Sequence, residues 1–195
     1  MNKLQGFYRL RQGGLPAVPW QTFAPDTRLE EGILWTVRSA VERGDDQNLP
    51  RLVGAPAAEA ETFAQGLLGE LGPGSLVVYY PYFVAEKSGV IELSPFRTVI
   101  EAVRGDLWNL ATGGEHDETV VITDEDVEVM GDEGFLSPTE LDELADCALR
   151  ARRRFRGELG RASALYLEWS YACKSDLQKR PIGPAQLVFY ELRAV

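Results

Sequence analysis

The chemistry in this chain gathers on two segments near its end. In ALYLEWSYA (Ala164 to Ala172), Leu165, Leu167 and Trp169 alternate with Tyr166, Glu168 and Ser170, so an extended strand would bury the first set and present the second. In QLVFYELRAV (Gln186 to Val195), Glu191 and Arg193 are two apart, which places them on one face together with Phe189. A carboxylate on one strand beside a carboxylate and a guanidinium on the next suits a magnesium ion with a polyphosphate. Hard oxygen ligands hold the metal, and the guanidinium offers paired donors to phosphate oxygens. Arg38, in Val37-Arg38-Ser39, adds a second guanidinium at a strand end. Exposed strands also carry Glu and Arg for solubility alone, and spacing does not separate the two uses.

Other reactive groups carry less. His116 is the sole histidine and sits in a Gly-rich acidic stretch beside Asp117 and Glu118, where an exposed turn residue is expected. Cys147 and Cys173 form no CxxC pair and build no disulfide framework. There is no GxxxxGK[ST] and no GxGxxG, so phosphate would have to be bound by another architecture.

These residues need elements to position them. Strands are expected at Ile33 to Ala40, Ser75 to Val84 (broken at Pro81), Gly89 to Leu93, Thr98 to Val103, Thr119 to Thr123 and Asp126 to Met130, besides the two closing segments. Leu15 to Phe23 reads as extended, because Pro16 and Pro19 stop a helix. A helix is expected over Ala57 to Leu71, ended by Gly72-Pro73-Gly74. A longer one starts at Ser137-Pro138-Thr139-Glu140, a capping box with proline at the first helical position. Leu141, Leu144, Ala145, Ala148, Arg152, Phe155 and Leu159 mark one face of it. The expected class is α+β.

Charge excludes some functions. The 195 residues hold 20 Lys and Arg against 30 Asp and Glu, a net charge of −10, which opposes general nucleic-acid binding. Residues Glu115 to Asp146 include 13 acids and no Lys or Arg, and Arg150 to Arg161 include six arginines. Acids early and arginines late on one helix complement its dipole, so the run requires no ligand. No apolar run approaches the length of a membrane span and the N-terminus has no leader pattern, so a cytoplasmic setting is expected.

The order of motifs resembles the ATP-grasp nucleotide-binding domain of the phosphoenolpyruvate synthase and pyruvate phosphate dikinase family. Lys3 followed by Gly14-Leu15-Pro16 is similar to that family's opening, and Val37-Arg38-Ser39-Ala40 to its VRS[SG]A segment. Leu49-Pro50 with Val53-Gly54-Ala55 echoes its phosphate-covering loop, and Val77 to Pro95 its strand, hinge and SGV turn beside adenine. Thr98 to Gly114, the long helix with its following strand, and Phe189 to Val195 resemble the remainder. Tyr166 and Tyr80 stand where that family has aspartate and glutamine, and the first lobe is shorter.

The resemblance implies one compact ATP-grasp-like domain over residues 1–195, with a reduced first lobe to about 75 and a second lobe over 76–195. It implies ATP and Mg²⁺ as cofactors. Lys3 and Arg38 would contact phosphates, Arg193 the transferred phosphoryl group, and Glu168 and Glu191 the metal. Tyr80, Tyr82 and Phe83, within Tyr79 to Val84, would line the adenine. The acceptor would be a small molecule or a histidine on a separate phosphohistidine-domain protein. Two other readings stand beside it: an inactive ATP-grasp-like binding or regulatory module, and an interaction protein whose acidic face meets a basic partner.

Overall fold

Strand formation follows the alternation of apolar residues, and the strands sort into two sheets. The computed structural model of the chain describes residues 3–41, 49–71, 75–107, 110 and 116–195. The elements are α1 (Lys3–Gln12), β1 (Gln21–Thr22), β2 (Leu34–Val41), β3 (Arg51–Pro56), α2 (Ala57–Glu70), β4 (Ser75–Pro81), β5 (Phe83–Leu93), β6 (Thr98–Arg104), β7 (Glu118–Ile122), β8 (Val127–Gly131), α3 (Pro138–Arg154), α4 (Arg156–Leu159), β9 (Leu165–Ser175) and β10 (Pro181–Ala194). A small sheet runs β1-β4-β2-β3 and a large one β10-β9-β5-β6-β7-β8. Every strand pairing within both is antiparallel. This is the expected α+β class.

The small sheet is two-faced because β2 and β4 alternate. Trp35, Val37, Val77 and Tyr79 turn toward α2, whose Ala57, Ala60 and Ala64 permit close approach. Val78 and Tyr80 point the other way and join Phe7, Trp20, Phe83, Ala172 and Val188 in an apolar joint between the sheets. The resemblance divides the lobes near residue 75. In the structure β4 belongs to the small sheet, and the chain crosses to the large one at Tyr82, whose N–H donates to the Leu34 carbonyl at 2.8 Å.

The large sheet packs one face on α3. Leu144, Cys147, Ala148 and Ala151 of the helix meet Ile91, Ile100, Val120, Leu167, Trp169 and Phe189 of the strands. The capping box forms as the sequence predicts: the Ser137 N–H donates to the Glu140 carboxylate at 2.8 Å and the Glu140 N–H to Ser137 Oγ at 3.3 Å. Two arginines of the run have structural partners. Arg152 donates to the carbonyls of Ser94 (2.5 Å) and Arg97 (2.9 Å) and to Thr98 Oγ1 (3.0 Å), clamping the β5–β6 turn. Arg150 reaches the Gly14 carbonyl at 3.0 Å, and Arg9 of α1 pairs with Glu158.

Three local expectations change. Ser88-Gly89-Val90 is no turn: it lies within β5, paired on both sides, and a Cβ on Gly89 would come within 1.8 Å of the Glu101 carbonyl oxygen and 2.5 Å of the Trp169 ring. The space is already taken by the tryptophan, which explains the glycine. Val53-Gly54-Ala55 is part of the edge strand β3, with Gly54 bulged out of register with β2. The third change concerns β10. A bulge at Tyr190 reverses the alternation, so Phe189 pairs with Trp169 in the core while Glu191 pairs with Glu168. Phe189 therefore does not share the face of Glu191 and Arg193.

Candidate functional site

The bulge gives the large sheet a polar face opposite α3. Directly paired residues project to the same side of a sheet. One row across it therefore reads Glu191, Glu168, Val90, Glu101, and the next reads Arg193, Tyr166, Glu92, Val99. On the small sheet, Arg38 lies opposite Val78 and Thr36 opposite Tyr80, so these too face the joint.

Arg38 brings the two sheets together electrostatically. Burial works against its charge, while Tyr80, hydrogen-bonded to it, and the carboxylates of Glu191 and Glu168 favour it. The balance holds the guanidinium above its ordinary range. Four residues singled out in the sequence, Arg38, Tyr80, Glu168 and Glu191, thus converge from β2, β4, β9 and β10.

The others lie around them. Tyr82 is at the crossing between sheets; burial raises its phenol, helped by Asp106, and the Lys179 ammonium sits 5.7 Å from its ring centre. Phe83 is buried in the joint, an apolar wall rather than a polar contact. Arg193 is one row from Glu191, its guanidinium 5.5 Å from the centre of the Tyr166 ring. The Tyr166 hydroxyl donates to Glu92 at 2.6 Å. Lys3 opens α1, and its side chain lies outside the described residues.

Further residues take part that sequence reasoning did not single out for the site. Burial raises the Tyr190 phenol strongly; it is hydrogen-bonded to Ser170 and within electrostatic range of Tyr80, Asp106 and Tyr82. Ser170 lies 2.7 Å from Ser88 Oγ, and Ser88 donates to the Gly105 carbonyl at 2.6 Å. That chain of bonds ties the floor of the joint to the β6 end. The bulge has only a slight signal in the sequence: Phe189 and Leu192, both apolar, are three apart, a spacing that puts them on one face only with an extra residue between them.

Glu168 and Glu191 could hold a cation as a pair. Among the described residues no group of three or more His, Cys, Asp or Glu is arranged to hold a metal. His116 lies 3.5 Å from Glu101 and joins no such group. Cys147 and Cys173 are buried, and burial raises both thiols. A depression of about 500 Å³, lined by Gln5, Tyr8, Arg9, Gln12, Arg154, Phe155 and Glu158, shares no residue with the Arg38 cluster. No helix among the described residues is long and apolar enough to cross a membrane.

No protein-family model matches the sequence, and no curated protein matches it. Among solved structures, the macrocyclase MdnC bound with precursor peptide MdnA from Microcystis aeruginosa is similar over 97% of this chain and 51% of its own, at 10% identity and TM-score 0.46. N5-carboxyaminoimidazole synthetase from Staphylococcus aureus complexed with ADP is similar over 98% and 43%, at 12% identity and TM-score 0.48. For L-amino acid ligase from Bacillus licheniformis the shares are 99% and 40%, with 14% identity and TM-score 0.41. This chain spans about half or less of the length of each.

Proposed function

We propose that the chain is a reduced ATP-grasp-like unit that binds Mg-ATP in the joint between its sheets, with ancestry in the phosphoenolpyruvate synthase and pyruvate phosphate dikinase phosphotransferases. The observation that carries the reading is Arg38 of the small sheet, hydrogen-bonded to Tyr80 and within electrostatic range of Glu168 and Glu191. A guanidinium facing two carboxylates across a joint is the minimum needed to grip phosphates from one side and a cation from the other.

In this reading Arg38 binds the phosphates, and Lys3 and Arg193 approach them from α1 and β10. Tyr80, Tyr82 and Phe83 line the base, with Tyr190 closing the same space. Glu168 and Glu191 fit a magnesium ion that takes its other oxygens from phosphates and water, since that ion needs only one or two carboxylates. Bound there, it would neutralise phosphate charge. The chain's own part in transfer is to position the nucleotide, exclude water and supply fixed positive charge at Arg38 and Arg193. The acceptor would be a small molecule or a histidine on a separate protein.

A second reading, a catalytically silent nucleotide-binding or regulatory module, draws on Tyr166. Where the resemblance calls for an aspartate, the chain has a phenol that donates to Glu92 and lies beneath Arg193. Both groups are thereby engaged in the sheet itself.

Calorimetric titration with ATP, with and without Mg²⁺, tests the proposal. Magnesium-dependent binding that is lost in Arg38→Ala, retained in part by Arg38→Lys and weakened in Glu168→Gln is expected. Equal binding by Glu168→Gln and the parent would remove the metal assignment. Absence of binding in a folded parent protein would remove the nucleotide.

A further inference from the structure

Among the described residues the two sheets have four edges, and three of them are protected. The β10 edge is covered: the Phe189 N–H donates to the Pro16 carbonyl at 2.8 Å, the Val18 N–H to the Phe189 carbonyl at 3.0 Å, and α1 lies so close that a Cβ on Gly6 would come within 2.7 Å of the Leu192 oxygen. On the small sheet, β1 is only two residues long, and β3 carries a bulge at Gly54 and ends in Pro56. The fourth edge is β8. Its five residues are all exposed, Val127, Val129 and Met130 to 55, 37 and 46%, with no proline, bulge or lysine in the strand. Open apolar edges invite another strand.

The free backbone groups can be assigned. The Thr123 N–H donates to the Asp126 carbonyl and the Asp132 N–H to that of Asp117, so 123/126 and 117/132 are hydrogen-bonded pairs of the β7–β8 ladder. Alternation along the strand then directs the N–H and C=O of Glu128 and Met130 toward β7 and those of Val127, Val129 and Gly131 outward. The Val127 N–H is taken by Asp126 Oδ1 at 2.8 Å, which leaves the Val127 carbonyl and both groups of Val129 and Gly131 for a further strand. The side chains of Val127 and Val129 extend the apolar face of Ile122 and Val120, while Glu128 and Met130 occupy the other.

Charge selects the occupant. Asp124, Glu125, Asp126, Glu128, Asp132 and Glu133 are exposed along or beside this strand, with no Lys or Arg among residues 115–146. A second copy pairing edge to edge would bring two such sets together, which electrostatics opposes. We propose that β8 is a docking edge for an extended basic segment of a partner protein, added to the large sheet as a further antiparallel or parallel strand. Its apolar residues would lie beside Val127 and Val129 and its Lys or Arg beside Asp126 and Glu128. Main-chain bonds to the Val127 carbonyl, Val129 and Gly131 supply the grip, and the alternation supplies selectivity. This interaction does not depend on the nucleotide reading.

The probe is a synthetic peptide of alternating lysine and valine, titrated into the isotope-labelled full chain and followed by amide exchange. Expected are slowed exchange at Val129 and Gly131, affinity that falls as salt rises, and no binding by the glutamate–valine counterpart. Val129→Pro removes an outward N–H that β7 does not use and should weaken binding at least about tenfold. A peptide N-methylated on its bonding side makes the same test without altering the protein. Equal affinity for Val129→Pro or for the N-methylated peptide, or exchange unchanged at the two amides, would reduce the effect to charge adsorption and overturn the proposal. Dimerisation of the free chain through β8 would overturn it in favour of a second copy.

Discussion

The two halves of the large sheet are built alike and placed differently. Strands β9 and β10 have α3 against one face and the small sheet against the other, whereas β8 is exposed throughout. Glu168 and Glu191 in the first half lie in the field of Arg38; Glu128 in the second is exposed. In sequence, ELR near the end and VEVM before the helix look like equivalent polar alternations. What lies opposite the strand, rather than the strand itself, decides which carboxylate gains a cationic neighbour.

The contrast can be broken most severely at Gly89. Replacement by Ala forces a methyl into the Glu101 carbonyl and the Trp169 ring, and a loss of about 3 kcal/mol or more is expected, at the top of the usual range for overpacking. Val129→Ala in the open half should change stability by less than about 0.5 kcal/mol. Thermal melts of the two variants measure both halves. If they lose the same amount, the covered half is no more tightly packed than the open one.

Next in size is Arg38→Met. Removing the cation leaves Glu168 and Glu191 facing each other, and about 2 kcal/mol of destabilisation is expected, less than for a fully buried pair because Arg38 keeps some exposure. Urea unfolding should show Glu191→Gln restoring part of that loss in the double variant. A purely additive result would mean that the charges do not act on one another.

The start of α3 sharpens the contrast, since it lies between the halves. Ser137→Ala should cost about 1 kcal/mol through loss of the cap, seen as a lowered midpoint in the same unfolding series. Glu140 adds a pH dependence. Burial raises its carboxyl, but Lys87 at 2.6 Å and the bonds to Ser137 outweigh that and leave it lowered. A lowered folded pKa contributes stability that is full above the unfolded value of about 4.3 and is lost as pH falls through the folded one. Stability should therefore decline below about pH 4.3 more steeply in the parent than in Glu140→Gln. Parallel curves for the two would remove Glu140 as a contributor.

Much of the frame was legible. The capping box at Ser137 and Glu140 is local, and local geometry realises it. The alternation of Leu165 to Ser170 is long enough to set the two faces of β9. Helix α1 and strand β3 were not legible, because neither owes its place to its own pattern: α1 lies on β10 beside Gly6, and β3 is an edge supported by β2. Within the proposed site, Arg38, Tyr80, Glu168 and Glu191 were named on residue type and resemblance, and the fold brings Arg38 within electrostatic range of the other three. Tyr190, Ser170 and Ser88 were missed because a hydrogen-bonded chain across three strands has no spacing in one dimension.

The bulge at Tyr190 has a bearing on any attempt to trace this chain's descent. A relative whose last strand runs without it would carry one residue fewer between its core phenylalanine and its site glutamate. An ungapped comparison would set Leu192 against that relative's polar position and Glu191 against a core one, scoring two mismatches where there is none. Kinship in this strand becomes visible only when a single-residue gap is placed at 190, and a search tuned to contiguous short motifs will pass it by.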